Sequence, residues 1–109
     1  MSRAIRKARE FTVDFENVFS WYIDKAGLEL ASRFQGALDN SLIKLSIQPD
    51  LGRLRHFRHP KLQGLRSLQV EHPFENLLIF YHATDNTLDV IRLMHGARHL
   101  PRRLIESPS

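Results

Sequence analysis

The chain has 109 residues, 42% hydrophobic and 26% charged, which suits one core over residues 1–109 and leaves too little for two. It has no cysteine, which excludes disulfides and thiolate metal sites, and no run of the roughly 18 to 20 apolar residues that crosses a bilayer. Its 16 Lys and Arg exceed its 12 Asp and Glu for a net charge of +4, so an anionic partner and a cytoplasmic location without membrane contact are expected.

The chain opens on a basic cluster, Arg3, Arg6, Lys7 and Arg9, with a short edge strand expected somewhere between Ile5 and Phe11. From Asp14 to Lys25, Phe15, Val18, Phe19, Tyr22 and Ile23 recur at the spacing of one helical stripe. Thr12 is the candidate cap, Asp14 and Glu16 suit the positive end of the helix dipole, and Gly27 stops the helix. A second helix spans Leu28 to Ile47 on Ala31, Phe34, Leu38, Leu42 and Leu45, ending before Pro49. Two helices joined through one glycine make an antiparallel hairpin.

After the turn signature Pro49-Asp50-Leu51-Gly52 the period shortens to that of strands. Expected strands are Arg53 to Arg58, Leu65 to Val70, Leu77 to Ala83 and Leu88 to His95, and their close spacing favours an antiparallel meander. The fold class is therefore α+β: an N-terminal antiparallel helical hairpin packed on a small antiparallel sheet of four or five strands.

Within the last strand, simple alternation puts Val90, Arg92 and Met94 on one face and Ile91, Leu93 and His95 on the other. An arginine among apolar residues needs a partner or water, so Arg92 either pairs with a carboxylate such as Glu71 or Asp89 or faces an open groove. Arg53, Arg55 and Arg58 load the first strand of the meander, where cations guard an edge or meet phosphate. The spacings His56/His59 and His95/His99 lack a recognised ligand pattern, and no phosphate-binding loop or nucleophile elbow is present, so no metal and no cofactor is expected. Trp21 borders the apolar stripe of the first helix, so part of its ring is free to help form a groove for a partner helix.

The order of parts resembles the RelE/ParE toxin superfamily. The resemblance rests on Asp14-Phe15-Glu16-Asn17-Val18-Phe19-Ser20-Trp21-Tyr22, Ala31-Ser32-Arg33-Phe34, Gln48-Pro49-Asp50-Leu51-Gly52, Leu65-Arg66, Leu78-Ile79-Phe80-Tyr81 and Val90 to Arg98, over about residues 13 to 104. The ending Leu93-Met94-His95-Gly96-Ala97-Arg98 is similar to the ParE branch, although His99 stands where that branch usually has Asp. The resemblance implies the toxin of a type II toxin–antitoxin, or plasmid stabilization, module. A ParE-like member acts by binding and inhibiting a macromolecular target, DNA gyrase, and is neutralised by an acidic, partly disordered antitoxin, with a toxin–antitoxin hetero-oligomer among the expectations.

The alternative is a RelE-like ribosome-dependent mRNA endoribonuclease using Arg66, Arg98 and His95. Leu78 and Leu104 stand where that branch places a basic residue and a tyrosine, and leucine can neither hold a phosphate nor move a proton. Enzyme activity is thus the lesser expectation. The candidate target-binding residues are Arg66, Arg92, His95 and Arg98, and the candidate antitoxin contacts are Phe15, Phe19, Tyr22, Arg53 and Arg55. A basic nucleic-acid-binding module with no poison activity is the third reading.

Overall fold

The computed structural model describes residues 2–96 and 100–106. In chain order they form β1 (Ala4–Lys7), α1 (Arg9–Ala26), α2 (Leu28–Ile47), β2 (Arg53–Leu54), β3 (Arg66–Gln69), β4 (Leu77–Ala83), β5 (Thr87–His95) and α3 (Leu100–Ile105), with single 3-10 turns at Pro49–Leu51 and Pro60–Leu62. The strands make one sheet in the order β1-β5-β4-β3-β2. The α+β architecture is as expected, but the sheet is mixed: β2 to β5 form the antiparallel meander, whereas β1 runs parallel to β5 from Ala4↔Thr87 to Lys7↔Val90. Strands far apart in sequence have no hairpin to impose antiparallel pairing, and here the whole helical hairpin and meander form the crossover.

The helix bounds follow from local chemistry. Gly27, at φ +94, adopts a backbone that suits only a residue without a Cβ, and its N–H donates to the carbonyls of Tyr22 and Ile23, so α1 stops there and α2 starts at once. At the other end α1 begins at Arg9, five residues before Asp14. Thr12 is not its cap: the hydroxyl donates back to the Ala8 carbonyl at 3.4 Å, and Ala8, the residue at the cap position, has no side chain able to accept.

Two apolar clusters lie on opposite faces of the sheet. The larger joins Phe11, Phe34, Leu38, Leu42 and Leu45 of the hairpin to Leu77, Ile79, Tyr81, Leu88, Val90 and Leu93. The smaller packs Leu104 of α3 with Leu62, Leu65, Phe80 and Met94. Strict alternation fails in β5 because Phe80 pairs with Arg92 while Tyr81 pairs with Val90, which leaves Ile91 as an inserted bulge residue. Val90 and Leu93 therefore both face the hairpin and Met94 faces away, in contrast to the simple period of two.

Candidate functional site

The bulge also decides where Arg92 goes. Its guanidinium lies inside the protein, only 4% exposed, with Nε 2.7 Å from Asp14 Oδ2 and Nη2 3.0 Å from Oδ1, a two-pronged pair across α1 and β5. Asp14 Oδ2 also accepts from the Leu93 backbone N–H at 3.0 Å. The remaining nitrogen, Nη1, donates to the carbonyls of Arg103 and Glu106 at 3.1 and 2.7 Å, closing the C-terminal end of α3. Neither expected partner takes part: Glu71 accepts from Asn40 and Lys44, and Asp89 sits 3.6 Å from Arg6. Arg92 is thus a strut between three elements, and its charge is spent inside rather than presented to a target.

Arg66 is engaged in a second internal network. Tyr81, fully buried, donates its hydroxyl to the Pro49 carbonyl and accepts from the Gly52 N–H at 2.9 Å, while Arg66 Nη1 donates to the Gly52 carbonyl at 2.8 Å. These bonds fasten the turn that connects the hairpin to the sheet. Burial raises the Tyr81 pKa, the leading cause of its shift, and the Gly52 hydrogen bond offsets part of it. A Cβ on Gly52 would meet the Tyr81 hydroxyl at 2.0 Å, so glycine is required there for close approach and not for turn conformation.

Three further basic side chains converge elsewhere. Arg53 and Arg55 at the β2 edge and His95 at the end of β5 line one open groove of about 620 Å³, together with Ser67, Asn76 and Leu78. Arg55 lies 5.4 Å from the ring centre of Phe57 and 5.9 Å from that of Phe80, and its Nη1 donates to Ser67 Oγ at 3.2 Å. Partial burial and then the neighbouring Arg53 charge lower its pKa from the usual arginine range. No carboxylate among the described residues pairs with either arginine. Glu75, also on the groove wall, is bound to His72 at 3.0 Å, and that hydrogen bond holds its pKa below the ordinary carboxylate range. Two guanidiniums without a carboxylate partner among the described residues, that of Arg55 held against aromatic faces, make a site with spare affinity for an anion.

The sequence placed Arg53 and Arg55 with an antitoxin and His95 with a target, whereas the fold brings all three to one groove. Arg98 and His99 lie outside the described residues. Phe15, Phe19 and Tyr22 are half-buried and turn toward the core: Phe15 stacks on Phe19 and Phe34 at 5.6 and 5.8 Å, and Tyr22 packs against Phe34 and Phe74 at 5.3 and 5.5 Å. Only their outer edges remain for a partner. Trp21 is 55% exposed. Leu78 lies in the groove wall, and Leu104 is buried in the smaller apolar cluster. The Asp14–Arg92 pair escaped the sequence reading because its members are 78 positions apart and no periodicity links them.

Comparison with known proteins gives a consistent likeness. Residues 5–100 match the family model described as the ParE toxin of the type II toxin–antitoxin system parDE. No curated protein sequence matches the chain significantly. Among solved structures, the chain superposes on one from the chromosomal ParDE toxin–antitoxin system of P. aeruginosa with a TM-score of 0.70 at 16% identity, covering 88% of this chain and 98% of that one. It also resembles a chain of the RelBE2 toxin–antitoxin complex of Mycobacterium tuberculosis, with a TM-score of 0.58, 15% identity and coverages of 87% and 99%. A chain of the E. coli DinJ-YafQ toxin–antitoxin complex gives a TM-score of 0.57, 18% identity and coverages of 92% and 99%. At these identities the structural likeness speaks for the fold alone.

Proposed function

Because the chain belongs to the ParE toxin family of type II toxin–antitoxin systems, and is a toxin of that kind, we propose that it acts as a ParE-like inhibitor that binds a macromolecular target, DNA gyrase, and is neutralised by a cognate acidic antitoxin. The observation that carries this reading is the chemistry of the groove. It offers two arginines with no carboxylate partner among the described residues, yet Leu78 occupies its wall, Leu104 of α3 is packed away in the smaller apolar cluster, and Arg66 is committed to the turn at Gly52. A surface of this kind binds by charge and shape; it has few groups to exchange protons with a substrate. The matching of residues 5–100 to the ParE model supports the same choice.

A second reading rests on His95, which lines the same groove as Arg53 and Arg55 and would supply the proton acceptor of a RelE-like, ribosome-dependent ribonuclease. One pair of assays separates the two. Purified protein is added to gyrase supercoiling reactions and, separately, to ribosomes translating a defined message. Inhibited supercoiling with an intact message is the expected result. Message cleavage that disappears in His95→Ala, with supercoiling unaffected, would assign the chain to the second reading.

A further inference from the structure

Arg53 and Arg55 stand at a fixed interval. Arg53 pairs with Ser67 across β2 and β3, and two positions on Arg55 N still donates to the Leu65 carbonyl at 2.8 Å, so the backbone between them is extended. Extended backbone rises about 3.3 Å per residue and sends alternate side chains to one face, which sets the two arginines roughly 6.6 Å apart on the groove side. They are not equivalent. Arg55 is held by Ser67 Oγ at 3.2 Å and by the Phe57 and Phe80 rings, whereas Arg53 is exposed on the edge strand. A planar guanidinium fixed in this way is set to take a carboxylate through two N–H groups, and lysine reproduces neither the stacking nor the fork.

The rest of the lining suits protein better than nucleic acid. Single strands bind where aromatic rings stack their bases beside a continuous cationic track. Among the described residues that line this groove there is no Phe, Tyr or Trp, for Phe80 is fully buried and Phe57 half-buried. The cationic track is interrupted as well: Glu75 stands on the wall past the end of β3, its carboxylate 3.0 Å from His72. Gln69 pairs with Leu78 two positions beyond Ser67, and with Asn76 and Leu51 these residues give the far part of the groove neutral amides for a peptide backbone and an apolar wall for an aliphatic side chain.

We infer that the groove takes an extended acidic segment of a target protein, with two carboxylates two residues apart on Arg53 and Arg55 and an aliphatic residue against Leu78. This rests on the reading of the chain as a toxin that inhibits by binding.

The test uses the full chain and a capped hexapeptide of alanine, glutamate, serine, glutamate, leucine and alanine in that order, followed by amide and side-chain resonances. Arg55, Ser67, Gln69 and Asn76 should shift saturably. Affinity should fall by about threefold or more for the isomer whose two glutamates are adjacent, and by about tenfold or more for the glutamine version of the peptide and in Arg55→Lys, which keeps the charge and loses the fork. Arg6→Glu, at the far edge of the sheet, should leave binding unchanged. If Arg55→Lys fails to fold by circular dichroism, the isomeric peptides and Arg53→Glu decide the matter. Equal affinity for both isomers, full affinity in a folded Arg55→Lys, no saturable shift up to millimolar peptide, or a short oligothymidylate of matched charge that saturates the same resonances at lower concentration each overturn the inference. Gyrase supercoiling and growth are scored separately: inhibition by a chain whose groove is silent to peptide sinks the groove assignment alone, whereas a groove that binds the peptide in a chain that inhibits neither sinks the toxin reading alone.

Discussion

Arg92 shows how one side chain can connect three parts of a small protein. Losing either member of the Asp14–Arg92 pair leaves the other charge buried without compensation, a defect that costs about 3 to 5 kcal/mol. Asp14→Ala and Arg92→Ala should each lower unfolding free energy in urea by that order, and the double substitution should cost clearly less than their sum. Tyr81→Phe is milder: it strands the Gly52 N–H and the Pro49 carbonyl, for an expected loss of about 1 to 3 kcal/mol in the same assay. Glu71 gives a pH signature. Hydrogen bonds from Asn40 and then Lys44 depress its pKa, so its contribution is complete above the ordinary carboxylate range, near about 4.3, and is lost as pH falls through the depressed folded value. Replacing it, as Glu71→Gln, should flatten that acid limb of the stability profile while leaving the region above pH ~6 parallel to the parent.

At the scale of elements, α3 depends on its surroundings. A helix of six residues is far below the length that persists alone, so its order comes from Leu104 in the smaller apolar cluster and from Arg92 on its terminal carbonyls. Leu104→Ala should cost about 2 to 4 kcal/mol in urea unfolding, and amide exchange in α3 should quicken more than in β4. The uncapped start of α1 offers the opposite experiment: Ala8→Ser, at a position with extended backbone, should raise stability by about 0.5 to 1 kcal/mol. The same elements show what a sequence reveals. The bounds of α2 were legible because Gly27 and Pro49 bracket a clean stripe, and β4 because its apolar run is flanked by turn residues. The start of α1 was hidden, since Thr12 imitates a cap and Ala8 does not. β2 came out shorter than Arg53 to Arg58: Arg55 N still bonds the Leu65 carbonyl at 2.8 Å, but Gln63 then takes the Phe57 carbonyl and the chain leaves the sheet. The Ile91 bulge was invisible in an unbroken apolar run that carries no phase. Of the candidate site, the residue types were readable and their grouping was not, because the convergence of Arg53, Arg55 and His95 is a product of register.

Across the whole molecule, charge is sorted by place: the Arg53/Arg55 groove and the β1 edge stand at opposite ends of the strand order. Reversing the groove, as Arg53→Glu with Arg55→Glu, should reduce growth inhibition by at least about tenfold in inducer titration while leaving the thermal midpoint within a few degrees, and the parent's target binding should weaken steadily with added salt. One consequence of the parallel β1–β5 seam concerns birth rather than action. Ala4 and its partner Thr87 lie on either side of both long helices and the rest of the meander. The hairpin can gather as it appears on the ribosome, but the seam that completes the sheet cannot form until β5 has followed all of them out, so it is a late pairing with a large loop to close.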